Sequence, residues 1–473
     1  MIQKELNMKH GVTGPATLDS STKDSLEKSK ILINFLKEND FFESEEDAKT
    51  RERALGRLSF LLKKFVRQQS LSKGETKDCG GIICTFGSYR LGVHDKGADI
   101  DALCVVPRHI SRKDFFNIFY NQLLEDSNVT ELSKVEDAYV PVIKMHYMDI
   151  PIDLTMARVN LPVVDSNLDL LNDTLLKTMD EKCILSINGS RVTDSMLNLI
   201  PNKETFHMAL RAIKFWAKRR YIYGNAYGYF GGVAFSISVA RICQLYPNKS
   251  SYDIVCKYFE YYSNWTWPEP ILLKPIVDHH YNLKVWDNQK YPADRYHKMP
   301  IITPAYPSMC STHNVFQSTF DLICREFRRS TEIINNSINS TDFLQIFDNT
   351  DFFRKYKLYI NIKVKADKES IKSWSGFVES KVRILCSKFE AVESIVAAIP
   401  FPKPFIKDET CNFFIGIEIL KTGSQNKKIY VDGQIKEFID FLNEWNGKTA
   451  IMKIEISAEK KKSMQTFFKN FFK

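Results

Sequence analysis

Paired cysteines are missing from this sequence. Its ten cysteines stand singly between Cys79 and Cys411, with no CxxC and no Cys/His cluster. That excludes a zinc module and a secreted disulfide framework, and it implies a compartment where thiols stay reduced. Glycine (19) and proline (17) are scarce for 473 residues, so the chain is neither collagenous nor largely disordered. It has no run of about 18 uncharged apolar residues, the length a membrane helix needs. The opening Met1-Ile2-Gln3-Lys4-Glu5-Leu6 also lacks the charged-then-apolar layout of a signal peptide. No membrane partner is expected. Acidic residues fall short of basic ones, 57 against 66, which leaves a formal charge of +9. Such a charge suits a nucleic-acid partner and is equally ordinary without one.

What remains is globular, with 44% hydrophobic and 26% charged residues. The length accommodates two to four compact units. Residues 53–68 place Leu55, Leu58, Leu62, Phe65 and Val66 at helical spacing. Runs rich in β-branched residues predict strands at 82–86, 99–106, 140–147 and 150–156, and a short helix at 89–93. Residues 165 to 345 read as helices joined by loops, the clearest helix at 204–220. After residue 352 the pattern is strand (356–364), helix (370–392), strand (413–420), helix (434–445) and strand (450–456). That succession describes a small ferredoxin-like α+β sandwich.

Chemistry concentrates in Phe86-Gly-Ser-Tyr-Arg-Leu-Gly-Val-His-Asp-Lys-Gly-Ala-Asp-Ile-Asp101. On a strand, residues i and i+2 share a face, so Asp99 and Asp101 present two carboxylates side by side. Like charges so close repel unless a cation offsets them, and Mg2+ is the common choice beside phosphate. Asp153, on a predicted neighbouring strand, is the candidate third ligand. Gly87-Ser88 closes a strand ahead of the pair, where glycine lets the backbone approach a phosphate.

Phe86-Gly87-Ser88 followed by Gly97-Ala98-Asp99-Ile100-Asp101 resembles the nucleotidyltransferase signature of DNA polymerase β-like enzymes. The stretches 188–194, 209–217, 230–234 and 299–309 are similar to the eukaryotic nuclear poly(A) polymerase family, as is Gly11-Val-Thr-Gly-Pro15 near the start. The resemblance runs over roughly residues 10 to 455. It implies that Asp99, Asp101 and Asp153 hold two Mg2+ ions, with Mn2+ a possible substitute, for attack of an RNA 3′-hydroxyl on ATP. It implies ATP contacts from Phe86, Gly87, Ser88, Asp95, Ile100, Asn188, Lys214, Tyr223, Asn225, Gly232 and Val233.

Lys214 belongs to a stripe with His207, Arg211 and Lys218 that otherwise reads as a solvated basic face. Asp95 is anomalous, because an acid there repels phosphate. Lys144 matches a position near the RNA primer, and an edge lysine that deters sheet pairing explains it equally well. Lys355, Lys357, Lys363, Lys365, Lys372 and Lys381 are candidates for the RNA backbone, without an RNP1-type aromatic signature.

The expected fold is α+β and multidomain. It comprises an N-terminal segment (1–48) packing with the central domain, a mixed-sheet nucleotidyltransferase catalytic domain (49–164), a helical central domain (165–349) and an RRM-like, ferredoxin-like C-terminal domain (350–473). The expected activity is template-independent addition of AMP from ATP to an RNA 3′ end in mRNA polyadenylation. A terminal uridylyltransferase, a CCA-adding enzyme and an inactive RNA-binding scaffold are the alternatives. Implied partners are RNA and protein factors of mRNA 3′-end processing, around a monomer in the nucleus. The sequence ends soon after the last predicted domain, with Lys460-Lys461-Lys462 as its basic cluster.

Overall fold

The computed structural model describes residues 11–39, 41–420 and 430–471; residues 1–6, read above for a signal peptide, lie outside them. Two helices open the chain, α1 (Lys23–Glu38) and α2 (Glu45–Ser72). Each starts at a hydroxyl, Thr22 or Ser44, that accepts a hydrogen bond from the backbone N–H of the third residue beyond it. The buried stripe of α2, Leu58, Leu62, Phe65 and Val66, is the one legible in the sequence. Glu45, Glu46 and Asp47 in its first turn favour the longer N-terminal extension.

α2 covers one face of a mixed five-stranded sheet. Its strands are β1 (Ile82–Phe86), β2 (Ile100–Val106), β3 (Val129–Val135), β4 (Val142–Tyr147) and β5 (Ile150–Arg158), in the order β1-β2-β5-β4-β3. β2 and β5 run parallel and the other pairs antiparallel. The predicted helix at 89–93 is instead α3 (Gly87–Arg90), which starts directly off β1. β3 was not expected: it is largely exposed and polar, as an edge strand can be. Its presence makes β4 an interior strand, so the edge-lysine account of Lys144 fails.

Along β2 the side chains alternate between two cores. Ile100, Ala102, Cys104 and Val106 join the α2 side. Leu103 and Val105 join Ile184 and Ile187 of α4 (Glu181–Leu199) on the other. Asp101 shares this second face.

The middle of the chain adds α5 (Lys203–Arg219), α6 (Gly232–Leu245), α7 (Ser251–Ser263) and α8 (Gln317–Asn335). α1 returns to pack on α7 and α5. The C-terminal part runs β6 (Leu358–Lys365), α9 (Ile371–Glu379), α10 (Val382–Glu390), β7 (Ile395–Pro400), β8 (Phe405–Lys407), β9 (Thr410–Ile419), α11 (Asp432–Asn443), β10 (Lys453–Lys460) and α12 (Lys461–Phe471). Its antiparallel sheet is ordered β10-β6-β9-β7, with β8 on β9. This is the ferredoxin-like order, first strand beside third. Two details differ from expectation. The single helix at 370–392 is two helices broken at Ser380 and Lys381, and β7 supplies a fourth main strand.

Candidate active site

In the register of β2 and β5, Asp101 stands opposite Asp153. Asp99 lies one residue before β2 rather than on it, yet carboxylate oxygens of all three come within 4.8 Å of one another. Burial, followed by the charges of Asp99 and Asp153, pushes the Asp101 carboxyl up to about 6. Three converging hard oxygens with excess negative charge fit a divalent cation such as Mg2+. Lys144, opposite Asp153 on β4, forms an ion pair with it.

β1 brings Phe86 opposite Asp101, and the chain then turns sharply into α3. Gly87 makes the turn with φ +65°, and a Cβ there would lie 2.6 Å from Asp101 Oδ2. Only glycine fits that corner. The Gly87 N–H donates to Thr193 Oγ1 at 3.2 Å. The Phe86 ring lies against Gly189, where a Cβ would approach it to 2.7 Å. Thr193 and Gly189 thus seat the Phe86–Gly87 corner from α4, beside Asn188. Neither was singled out in the sequence, although a glycine inside a helix is a signal of close packing. Ser88 is half-buried in α3.

α5 supplies the cations. Lys214 is 5% exposed; its Nζ donates to the Val93 carbonyl at 2.8 Å and lies 3.4 Å from Asp95 Oδ1. Lys218, one turn later, pairs with the other Asp95 oxygen. Burial lowers the pKa of Lys214, against the pull of Asp95. Burial alone would raise Asp95, but the two lysines hold it below the usual carboxylate range. The rest of the stripe is covered rather than solvated: Arg211 sits 4.9 Å from the centre of the Phe42 ring, and His207 packs beneath Gly92.

Beyond α5, Tyr223 stacks on Phe235 of α6 at 5.7 Å. Its hydroxyl is pushed up to about 12 by burial and then by Asp95 and Asp99, and Lys218 lies over its ring at 5.6 Å. Gly232 opens α6 close under that hydroxyl, where a Cβ would lie 3.2 Å away, and Val233 beside it is 43% exposed. Asn188 and Asn225 each bury a side-chain oxygen with no hydrogen-bond partner among the described residues. An unmet buried acceptor costs about 1–3 kcal/mol, which a ligand donor would relieve. Asn314 steadies this region by donating to the Asn225 carbonyl at 3.2 Å. Ile100 buries its side chain on the α2 face, away from the carboxylates, and offers only backbone here. Of the C-terminal lysines, Lys365 is taken by Glu455 at 3.2 Å, and Lys355 lies over Tyr356.

Comparison with known proteins agrees with this layout. Residues 11–200 match the poly(A) polymerase nucleotidyltransferase domain, 205–349 the poly(A) polymerase central domain, and 351–412 the poly(A) polymerase predicted RNA binding domain. Poly(A) polymerase pla1 of Schizosaccharomyces pombe is 46% identical over 408 residues, covering 85% of this chain and 72% of that protein. Poly(A) polymerase PAPa of Candida albicans is 45% identical over 414 residues, 86% of this chain and 74% of that one. The solved structure of a cytoplasmic RNA terminal U-transferase covers 69% of this chain and 100% of its own at 16% identity, with a TM-score of 0.48, too distant to speak to substrate. With close relatives over most of its length and three family domains in order, this chain belongs to the poly(A) polymerase family.

Proposed function

We propose that the three converging carboxylates form the centre of a polynucleotide adenylyltransferase. The chain is a template-independent poly(A) polymerase, which adds AMP from ATP to RNA 3′ ends. In the reaction the RNA 3′-oxygen attacks the α-phosphorus, the bond to the bridging oxygen breaks, and pyrophosphate leaves. Asp99, Asp101 and Asp153 are the proposed ligands of two Mg2+ ions. Held there, such ions would supply Lewis-acid activation of the 3′-hydroxyl and charge compensation for the leaving pyrophosphate.

The remaining assignments rest on the resemblance to the family, and the positions described above support them. Gly87 lets a phosphate approach the sheet, and the Ser88 hydroxyl accompanies it. Lys214 and Tyr223 take the triphosphate, Asn188 the ribose and Asn225 the base, with Gly232 and Val233 as the adenine-side wall and Phe86 at the sheet end. Lys144, already paired with Asp153, is the proposed contact to the primer. The proposed division of the chain is 1–48, 49–164, 165–349 and 350–473, with α4 lending Asn188 to the catalytic sheet. RNA and ATP are the substrates. Protein factors of 3′-end processing, a monomeric state and a nuclear location complete the proposal.

The convergence of Asp99, Asp101 and Asp153 within 4.8 Å carries this reading. Its test is extension of an unstructured RNA primer by the full chain with ATP and Mg2+. Wild type should extend the primer and Asp153→Ala should lose about 10³-fold or more, several kcal/mol of transition-state stabilisation. Absence of extension, or equal extension by the variant, would sink it. UTP in competition should extend poorly; parity with ATP would favour the uridylyltransferase alternative.

A further inference from the structure

Asp95 sits where an enzyme that binds polyphosphate should not place an acid. Its carboxylate meets Lys214 with one oxygen and Lys218 with the other, and Arg211 on the same helix also feels its charge. A buried ammonium without a counter-ion costs several kcal/mol, so some anion must accompany Lys214 when no nucleotide is present. Asp95 is that anion, and it is not locked in place. Its side chain remains 24% exposed. Two residues on, Gly97 turns with φ +73° and nothing lies within 4 Å of where its Cβ would be, so this part of the loop runs in open space. Lys218 is 38% exposed and lies over the Tyr223 ring at 5.6 Å, so the carboxylate, both lysines and Tyr223 form one continuous patch.

We infer that Asp95 is an intramolecular stand-in for polyphosphate: it neutralises Lys214 and Lys218 in the empty site, yields them to the incoming triphosphate, and reclaims them as pyrophosphate departs. The inference rests on Lys214 being a triphosphate ligand. It goes further by giving Asp95 a role opposed to binding, and by making Lys218 a second cation shared between acid and phosphate. Anion exchange of this kind weakens the hold on substrate and product alike, which suits an enzyme that must release pyrophosphate after every addition.

The test uses the full chain with Asp95→Asn, which keeps size and polarity, and Asp95→Ala. Three quantities are read: KM for ATP with an RNA primer, the inhibition constant of pyrophosphate, and calorimetric binding of inorganic triphosphate without RNA. Removing the competing charge should tighten all three, by about tenfold for one charge-assisted pair no longer to be displaced. The nucleotide-free variants should melt lower than wild type and gain more from added triphosphate. A residue that only shaped the loop would loosen these constants, so unchanged or weaker constants in both variants overturn the inference. Lys214→Ala separates the two readings. If it raises KM for ATP while Asp95→Asn fails to lower it, the stand-in role alone is refuted. If Lys214→Ala leaves KM untouched, the triphosphate assignment falls and takes this inference with it.

Discussion

A carboxyl raised to about 6 by burial and by Asp99 and Asp153 destabilises the metal-free protein at neutral pH. The folded state binds this proton more tightly than the unfolded chain does, so between the ordinary value of 3.8 and about 6 folding takes up protons. Stability from this group is therefore lost as pH rises through that window, and it returns on acidification. Asp101→Asn removes the charge while keeping the shape. In the presence of a chelator at pH 7.5 the variant should be more stable than wild type by about 1–2 kcal/mol, read as a higher melting temperature, and it should not extend RNA. The stability gain should shrink as pH falls below about 6 and vanish only below the ordinary value of 3.8, where folded and unfolded chains are both protonated. A variant that is less stable at neutral pH would show that the carboxylate cluster is held by contacts stronger than its own repulsion. Such a trade of stability for chemistry is common where like charges must converge.

At the scale of elements, the site depends on a corner between β1 and α3 that another helix holds. Gly87→Ala asks a side chain to adopt φ +65° and to intrude on Asp101. It should cost about 1–2 kcal/mol in stability and depress kcat with little change in RNA affinity. Loss of RNA affinity instead would move the corner's role away from the nucleotide. Much of this assembly was legible in the sequence, because Phe86-Gly-Ser and Asp-Ile-Asp sit at strand ends and strands announce themselves by β-branched alternation. The pairing of Asp153 with Asp101 was legible only as a candidate, since register is set by long-range contact. Other features left a trace too weak or too ambiguous to read. β3 is polar at a sheet edge, β7 is a six-residue apolar run ending in proline, and the 370–392 helix breaks where Ser380 and Lys381 interrupt otherwise continuous amphipathicity. The basic stripe of α5 reads as a solvent face because its covers, Phe42 and the loop around Asp95, come from more than a hundred residues away.

Across the whole molecule, one hydrophobic core runs without interruption from α1 and the central helices into the C-terminal sheet. The Tyr229 hydroxyl donates to the Pro400 carbonyl at 2.7 Å, the Ser318 hydroxyl accepts from the Ala398 N–H at 2.9 Å, and the Tyr221 and Phe401 rings meet at 4.7 Å. The C-terminal domain therefore braces the turn that carries Tyr223 and Asn225. The sheet face away from α9 and α10 does bear aromatics, Tyr359 and Phe414. Both are fully buried, Tyr359 against Phe352 and Phe353, and Phe414 against Phe353, Phe405 and Phe467 of α12. Base stacking on that face is closed off in this arrangement. The shared core predicts that the central and C-terminal parts unfold together. Phe401, 4% exposed and in contact with Tyr221, Phe352 and Phe353, is the residue that tests it. Phe401→Ala should cost about 3 kcal/mol and lower a single calorimetric transition covering both parts, while raising KM for ATP more than KM for RNA because the braced turn loosens. Two transitions, with only the later-domain one displaced and nucleotide affinity intact, would mean that the RNA-binding part merely rests on the nucleotide site instead of holding it in shape.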